Sequence, residues 1–381
     1  MNSVFAKFRV TFLAGIFSFA GVSSPVFAID DVLETPSVMS SLASESLLLD
    51  VVNTGKRLVA VGSRGHILLS DNSGDSWRQA SVPVSVLLTA VSFSDEQNGW
   101  AVGHGGVVLH SSNGGESWAK LFDGNSANRM IITQAENFIV QLEAEIAASS
   151  EEDAEDLAYD LEDAQYALED ARLDAEVGAS KPFLDVLFLN DKEGFAVGAY
   201  GFIFKTEDGG QVWENYGTRL ENPDRFHFNA ITRIKGGVLL IGGEAGVLFR
   251  SSDDGETWEA VDSPYEGSFF GISGTEAHNV AIAFGLRGNL FRSEDGGLTW
   301  DSIDSGTENS LMAAGFGGAG KVSVVGNSGS VLFSRDGGRT FSERIRKNRL
   351  GNASVVYVDG SKMVMVGESG INLTNLAGQN L

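Results

Sequence analysis

The chain contains no cysteine. This excludes disulfide staples, thiol nucleophiles and thiolate metal sites. Histidine is scarce too: five residues in 381, with no H-x-x-x-H or H-E-x-x-H spacing. No imidazole metal cluster is therefore expected, and no cofactor is called for. Basic residues are few, 27 Lys and Arg against 51 Asp and Glu, a formal charge of −24. So acidic a surface repels phosphate, which argues against nucleic acid as a partner. Long apolar runs are missing except at residues 10–22, VTFLAGIFSFAGV. That run is too short to span a bilayer comfortably. Lys7 and Arg9 precede it, and Val26-Phe27-Ala28 places small residues where a signal peptidase reads them. Residues 1–28 are thus expected to be a secretory signal peptide, leaving a soluble mature chain, 29–381, outside the cytoplasm in the periplasm. Losing Lys7 and Arg9 takes the charge to −26.

Glycine is abundant, with 47 residues, and its placement is periodic. A G-x-x-G turn opens at Gly62, Gly103, Gly198, Gly243, Gly285, Gly326 and Gly367. The spacing is 41 to 45 residues apart from one gap of 95. Twelve residues after each of the first six turns comes an aromatic: Trp77, Trp118, Trp213, Trp258, Trp300 and Phe341. A fixed period of this length means one supersecondary unit copied along the chain, and units of blade size build propellers. Within a unit, LTAVSF, GWAVG, VVLHS and SWAKLF read as four short strands separated by turn residues. The expected fold is all-β, a seven-bladed β-propeller. Its closure is expected to use the mature N-terminus, Asp30 to Pro36, as the outer strand that blade seven lacks, because an unpaired edge is a liability.

The hairpin before each aromatic is a second motif: SSNGGESW, TEDGGQVW, SSDDGETW, SEDGGLTW, SRDGGRTF and a looser SDNSGDSW. It resembles the Asp-box, or BNR repeat, S-x-D-x-G-x-T-W. Asp208, Asp253, Asp295 and Asp336 can each accept backbone N–H groups of a tight hairpin, and Trp213, Trp258, Trp300 and Phe341 can each bury apolar area beside it. These acidic loops read as structural, not as catalytic or calcium-binding.

The 95-residue gap holds about 54 residues beyond a blade, Ser126 to Ala179, between blades 2 and 3. Ile131, Ala135, Phe138, Leu142 and Ile146 fall at helical spacing, as do Leu157, Leu161, Ala164, Leu168, Ala171 and Ala175. Ser150 and Asp153 form a capping-box signature for the second helix. An antiparallel helical hairpin follows. From Glu151 to Glu176 it carries 12 acids against one base, Arg172, a net charge of −11. This is either a solvated helix face or a docking arm for a basic partner.

In a four-stranded antiparallel blade, the turn between strands two and three shares an end with the blade-to-blade connections. Arg64, His104, Tyr200 and Arg287 lie in such turns, and Arg219, Arg225 and Tyr265 in such connections. One end of the disc therefore collects Arg, Tyr and the acidic arm, the residue types of an interaction surface. Phe226, Phe228, Phe269 and Phe270 are expected to plug gaps between blades.

The segments SLLLDVV, RLVAVGSRGHILLSDNSG, GWAVGHGGVVLHSSNGG, GFAVGAYG and SRDGGRTF resemble the photosystem II stability/assembly factor family of BNR-repeat proteins. The resemblance covers residues 30 to 375. It implies a seven-bladed propeller acting outside the cytoplasm, the thylakoid lumen in photosynthetic relatives. It also implies a non-enzymatic helper that binds a membrane-embedded partner. The chain itself is expected to be a monomer. The acidic hairpin departs from the photosynthetic members and is similar to relatives associated with export-type transporters, so the implied partner is a photosystem or transporter component. The alternative class is a sialidase-like glycosidase, or a propeller that binds a glycan or small ligand. Arg64, Arg225 and Arg287 with Tyr200 or Tyr265 would then carry the site, but no F-R-I-P or Y-R-I-P segment is present.

Overall fold

A computed structural model describes residues 31–381, so the expected signal peptide lies outside the described residues. Seven antiparallel sheets follow one another along the chain: blade 1 (48–79), blade 2 (88–122), blade 3 (183–215), blade 4 (228–260), blade 5 (269–302), blade 6 (311–345) and blade 7 (352–375). The first six have four strands in sequence order and the last has three. Each is contiguous in sequence, as the period requires.

Alternation of side chains explains how the blades stack. In the second strand of blade 1, Leu58–Gly62, Val59 and Val61 join an apolar cluster with Leu88, Val91 and Ala101 of blade 2. Leu58 and Ala60 point the other way, to Val364 and Val366 of blade 7. The same division recurs in blade 5, where Ala281 and Ala283 face blade 4 while Ile282 and Phe284 face blade 6. These strands are apolar on consecutive positions because both sides are covered. Seven clusters result, one at each junction, and the cluster between blades 7 and 1 closes the ring. Phe228 and Phe269 are fully buried in two of them, whereas Phe226 and Phe270 are only half-buried.

Every innermost strand carries a bulge at the same place, between Leu48 and Asp50, Leu88 and Ala90, Phe183 and Asp185, Phe228 and Ala230, Phe269 and Gly271, Leu311 and Ala313, and Asn352 and Ser354. Such a bulge bends a strand and increases its twist, which suits strands converging on an axis.

The acidic hairpins share one hydrogen-bond scheme. In blade 4, the Ser251 hydroxyl donates to Asp253 Oδ1 at 2.7 Å and accepts from Gly255 N–H at 2.9 Å. Thr257 donates to the same carboxylate from its N–H at 3.0 Å and its hydroxyl at 2.6 Å. Those bonds hold the Asp253 carboxyl down at about 2. Asp208, Asp295 and Asp336 sit in equivalent networks. The indole N–H groups of Trp213 and Trp300 donate to the carbonyls of Gly210 and Gly297. Trp258 lacks such a bond, although its ring meets Phe195 edge-on at 6.0 Å. Phe341 takes the aromatic position in blade 6 and packs at the junction with blade 5.

Closure differs from the expectation. The described N-terminal residues run over the connection from blade 1 to blade 2: Ser85 N–H donates to Val32 O at 2.9 Å, and Ser37 N–H to Val82 O at 3.0 Å. Leu33 is buried there with Val82, Val84 and Val86. The outer side of blade 7 is met instead by the C-terminal tail, through a bridge between Thr374 and Asn380 and a bond from Leu381 N–H to Leu373 O. Asn375 and Gly378, the latter at φ 72°, make the reversal possible. The buried Arg346 guanidinium fixes the tail by donating to Asn352, Asn372 and Asn380.

The insertion consists of α1 (Gly124–Ala148) and α2 (Glu151–Val177), an antiparallel pair that begins two residues before the expected start and ends two before the expected end. Asp123 caps α1, and Ser150 caps α2 by accepting Asp153 N–H at 3.3 Å. Leu142, Ala164 and Ala171 are buried in the helix–helix seam, but Phe138, on the same periodic row as Leu142, is 48% exposed. The first turns of α1 belong to the propeller: Ala127, Met130 and Ile131 pack into the cluster between blades 2 and 3. Gly106 and Gly124 allow this approach, since a Cβ on Gly106 would lie 2.9 Å from the Gly124 Cα.

Candidate interaction face

The G-x-x-G turns and the blade connections do share one end of the disc. Gly65 N–H donates to Val86 O at 2.6 Å in the connection after blade 1. A Cβ on Gly246 or Gly288 would strike the carbonyls of Tyr265 and Thr307, in the connections after blades 4 and 5. The helical arm leaves from the same end.

The middle residue of each of the first six turns adopts left-handed backbone. In blade 2 it is Gly105 at φ 71°, which costs nothing sterically. In blades 1, 3 and 5 it is Arg64 at φ 56°, Tyr200 at φ 57° and Arg287 at φ 57°. A residue with a Cβ in this conformation is strained by roughly 1–2 kcal/mol. All three side chains are exposed. In blades 4 and 6 the position holds the short residues Ala245 at φ 52° and Ser328 at φ 56°, so the turn itself imposes the conformation, and in blades 1, 3 and 5 it presents a long side chain away from the core. Backbone strain of this kind collects at binding sites.

Around Tyr200 the groups are dense. Its ring lies 5.0 Å from the His227 ring and 5.6 Å from Lys181 Nζ. His227 Nδ1 is 2.5 Å from Glu244 Oε2, and this contact holds the Glu244 carboxyl below its usual range. Arg225, itself at φ 52° and exposed, reaches Asp170 of α2 at 3.9 Å, and Lys181 pairs with Asp174. The arm is therefore tied to the propeller by two ion pairs beside Tyr200.

The other expected residues fall differently. His104 is exposed in the blade 2 turn. Arg219 stacks on the Tyr216 ring at 4.1 Å and pairs with Glu214 at 3.4 Å, beside the outer strand of blade 3. Tyr265 is half-buried between Phe269 and Phe291, with its hydroxyl donating to Leu286 O at 3.4 Å. Arg64 and Arg287 are three blades apart round the ring. Among the described residues there is no group of three or more His, Cys, Asp or Glu placed to hold a metal.

Two further groups escaped the sequence reading. Asp50 and Asp185 sit just past the bulges of blades 1 and 3, on innermost strands. The signal was the string L-D-V, a charge inside an apolar strand, in both blades. Lys181, His227 and Glu244 gave no signal, because only the fold brings them to Tyr200.

Comparison with known proteins agrees with this architecture. A family model described as Photosynthesis system II assembly factor YCF48 matches residues 33–128 and 167–321, leaving most of the helical arm unmatched. Over 87 residues, 23% of this chain, the sequence is 36% identical to the Photosystem II assembly lipoprotein Ycf48 of Synechococcus sp. (strain CC9902), of which the match spans a quarter. Among solved structures, YCF48 bound to D1 peptide superposes with a TM-score of 0.60 at 15% identity, over 92% of this chain and 98% of that one. YCF48 from Cyanidioschyzon merolae gives 0.59 at 16% identity, over 88% and 97%. With the family model matched on both sides of the arm, the chain belongs to the Photosynthesis system II assembly factor YCF48 family.

Proposed function

We propose that this protein is a non-enzymatic assembly scaffold that works outside the cytoplasm and binds the exposed part of a membrane protein through the turn-side end of its propeller. The observation that carries this reading is the exposed left-handed turn position, filled by Arg64, Tyr200 and Arg287 where blades 2, 4 and 6 use Gly105, Ala245 and Ser328. Family membership supports it, and so does the relative whose structure is described as bound to D1 peptide. Arginine and tyrosine supply short-range contacts to carboxylates, backbone carbonyls and apolar surface. The acidic hairpins at the opposite end spend their polar atoms on their own backbone and are structural. Where the host has a photosystem, the partner is one of its reaction-centre subunits; where it has none, the partner is a component of an export-type transporter.

Site-specific photocross-linking tests this. A photoreactive phenylalanine at Tyr200 or Arg287 is expected to give an adduct with an integral membrane protein, and the same probe at Thr257 or Thr340 none. Adducts only from the hairpin end, or none from either end, would overturn the proposal.

A further inference from the structure

The exposed side of α2 repeats a five-residue pattern at heptad intervals: Glu155-Asp156-Leu-Ala-Tyr159, Glu162-Asp163-Ala-Gln-Tyr166 and Glu169-Asp170-Ala-Arg-Leu173. Residues seven apart line up along one side of a helix. Tyr166 and Leu173 each lie two residues, about 200°, beyond Ala164 and Ala171, which are buried against α1. The row therefore points directly away from the helix–helix seam. Tyr159, Tyr166 and Leu173 are 68%, 59% and 55% exposed, and Val177 extends the row at 74%. Carboxylates three and four residues before each apolar residue flank the row on both sides. One of them, Asp170, faces Arg225, and Tyr166 Oη donates to Glu162 at 3.2 Å. A solvated helix face has no need of large apolar groups in register, and the seam with α1 does not use them.

Charge selects the occupant. A second copy would set one α2, with its net −11, against another. An anionic membrane surface would repel the same carboxylates. An apolar row at seven-residue spacing, bordered by acids, matches a helix whose own apolar row has the same spacing and is bordered by Lys or Arg. We infer that the outer side of α2 docks a basic amphipathic helix of a protein partner, through Tyr159, Tyr166 and Leu173 with the flanking Glu and Asp residues. The inference rests on the reading of this chain as a protein-binding scaffold, and adds to it a second contact surface of defined chemistry.

The test uses the full mature chain and a labelled peptide of about 21 residues, three heptads with Leu on one side and Lys flanking it. A second peptide of the same composition has its Leu residues scattered round the helix. By fluorescence anisotropy at about 0.15 M salt, the amphipathic peptide is expected to bind roughly tenfold more tightly than the scattered one. The triple change Tyr159→Ser, Tyr166→Ser, Leu173→Ser should erase that margin with helicity by circular dichroism unchanged. Equal binding of the two peptides overturns the inference, as does a margin that survives the triple change. Loss of binding in Arg64→Ala/Arg287→Ala but not in the triple variant would place the peptide on the turn-side face, removing this inference while leaving the scaffold reading intact.

Discussion

Asp50 and Asp185 occupy the same register position on innermost strands two blades apart, and each accepts a backbone N–H from the next strand round the ring. Asp50 takes Val91 N–H at 3.0 Å and Asp185 takes Ile231 N–H at 2.8 Å. Asp50 also accepts the Ser354 hydroxyl of blade 7 at 2.8 Å. Two carboxylates thus tie five of the seven innermost strands to their neighbours: blades 7, 1 and 2 through Asp50, blades 3 and 4 through Asp185.

Burial pushes the Asp185 carboxyl up to about 7, and the charge of Asp50 adds to the effect. A raised carboxyl in the folded state means that folding takes up a proton between the unfolded value near 4 and about 7. The contribution of Asp185 to stability therefore declines as pH rises through that window. Asp185→Asn keeps an acceptor for Ile231 and removes the ionisation. Melting temperatures of the variant and the parent are expected to converge near pH 4 and to separate, in favour of the variant, by pH 8. A constant difference across the range would exclude Asp185 as the source.

Arg287→Gly should relieve left-handed strain. Glycine gives back part of the gain as chain entropy, so stability is expected to rise by about 0.5–1 kcal/mol. Recovery of the membrane partner should fall. Chemical denaturation together with the cross-linking assay checks both; a variant less stable than the parent would contradict the strain argument.

Trp213 and Trp258 make a controlled pair. Trp213 is buried and donates to Gly210 O at 3.0 Å, whereas the Trp258 indole N–H has no partner. Trp213→Phe leaves a buried carbonyl without its donor and should cost about 1–2 kcal/mol more than Trp258→Phe. Equal costs in urea titrations would show that the indole bonds are immaterial to the hairpins.

Truncation after Asn375 removes Asn380 from Arg346 and uncovers the outer edge of blade 7. The expected outcome is a melting temperature lower by roughly 5 °C and concentration-dependent association, since a bare edge recruits other strands. Scanning calorimetry and light scattering read these out, and an unchanged melting temperature and association state would mean that the tail does not seal the sheet.

The sequence was most legible where one rule acted seven times. Glycine at Gly62 or Gly103 recurs in all seven turns and an aromatic follows the second glycine of six of them by twelve residues, so the blades and their shared end could be read directly. The arm was legible through its periodicity, although Phe138 fits the spacing and still faces solvent. Closure was not legible, because a sheet edge accepts any short extended segment and NLAGQNL carries no strand pattern. The cluster of Lys181, Tyr200, His227 and Glu244 was hidden for another reason: its members come from two blades and two connections, and only the packing of blade 3 against blade 4 brings them together.

No strand is shared between the first blade and the last. In the described residues, blade 7 is completed by its own tail, and it meets blade 1 through Val364 and Val366 packed against Leu58 and Ala60 and through hydrogen bonds that Ser354 and the Tyr357 carbonyl make to Asp50, Val51 and Asn53. The junction between blades 7 and 1 is therefore packed like the other six. A gene reopened at another connection, such as 304–310, with the old ends joined by a linker, should encode the same ring, and whole blades become exchangeable modules.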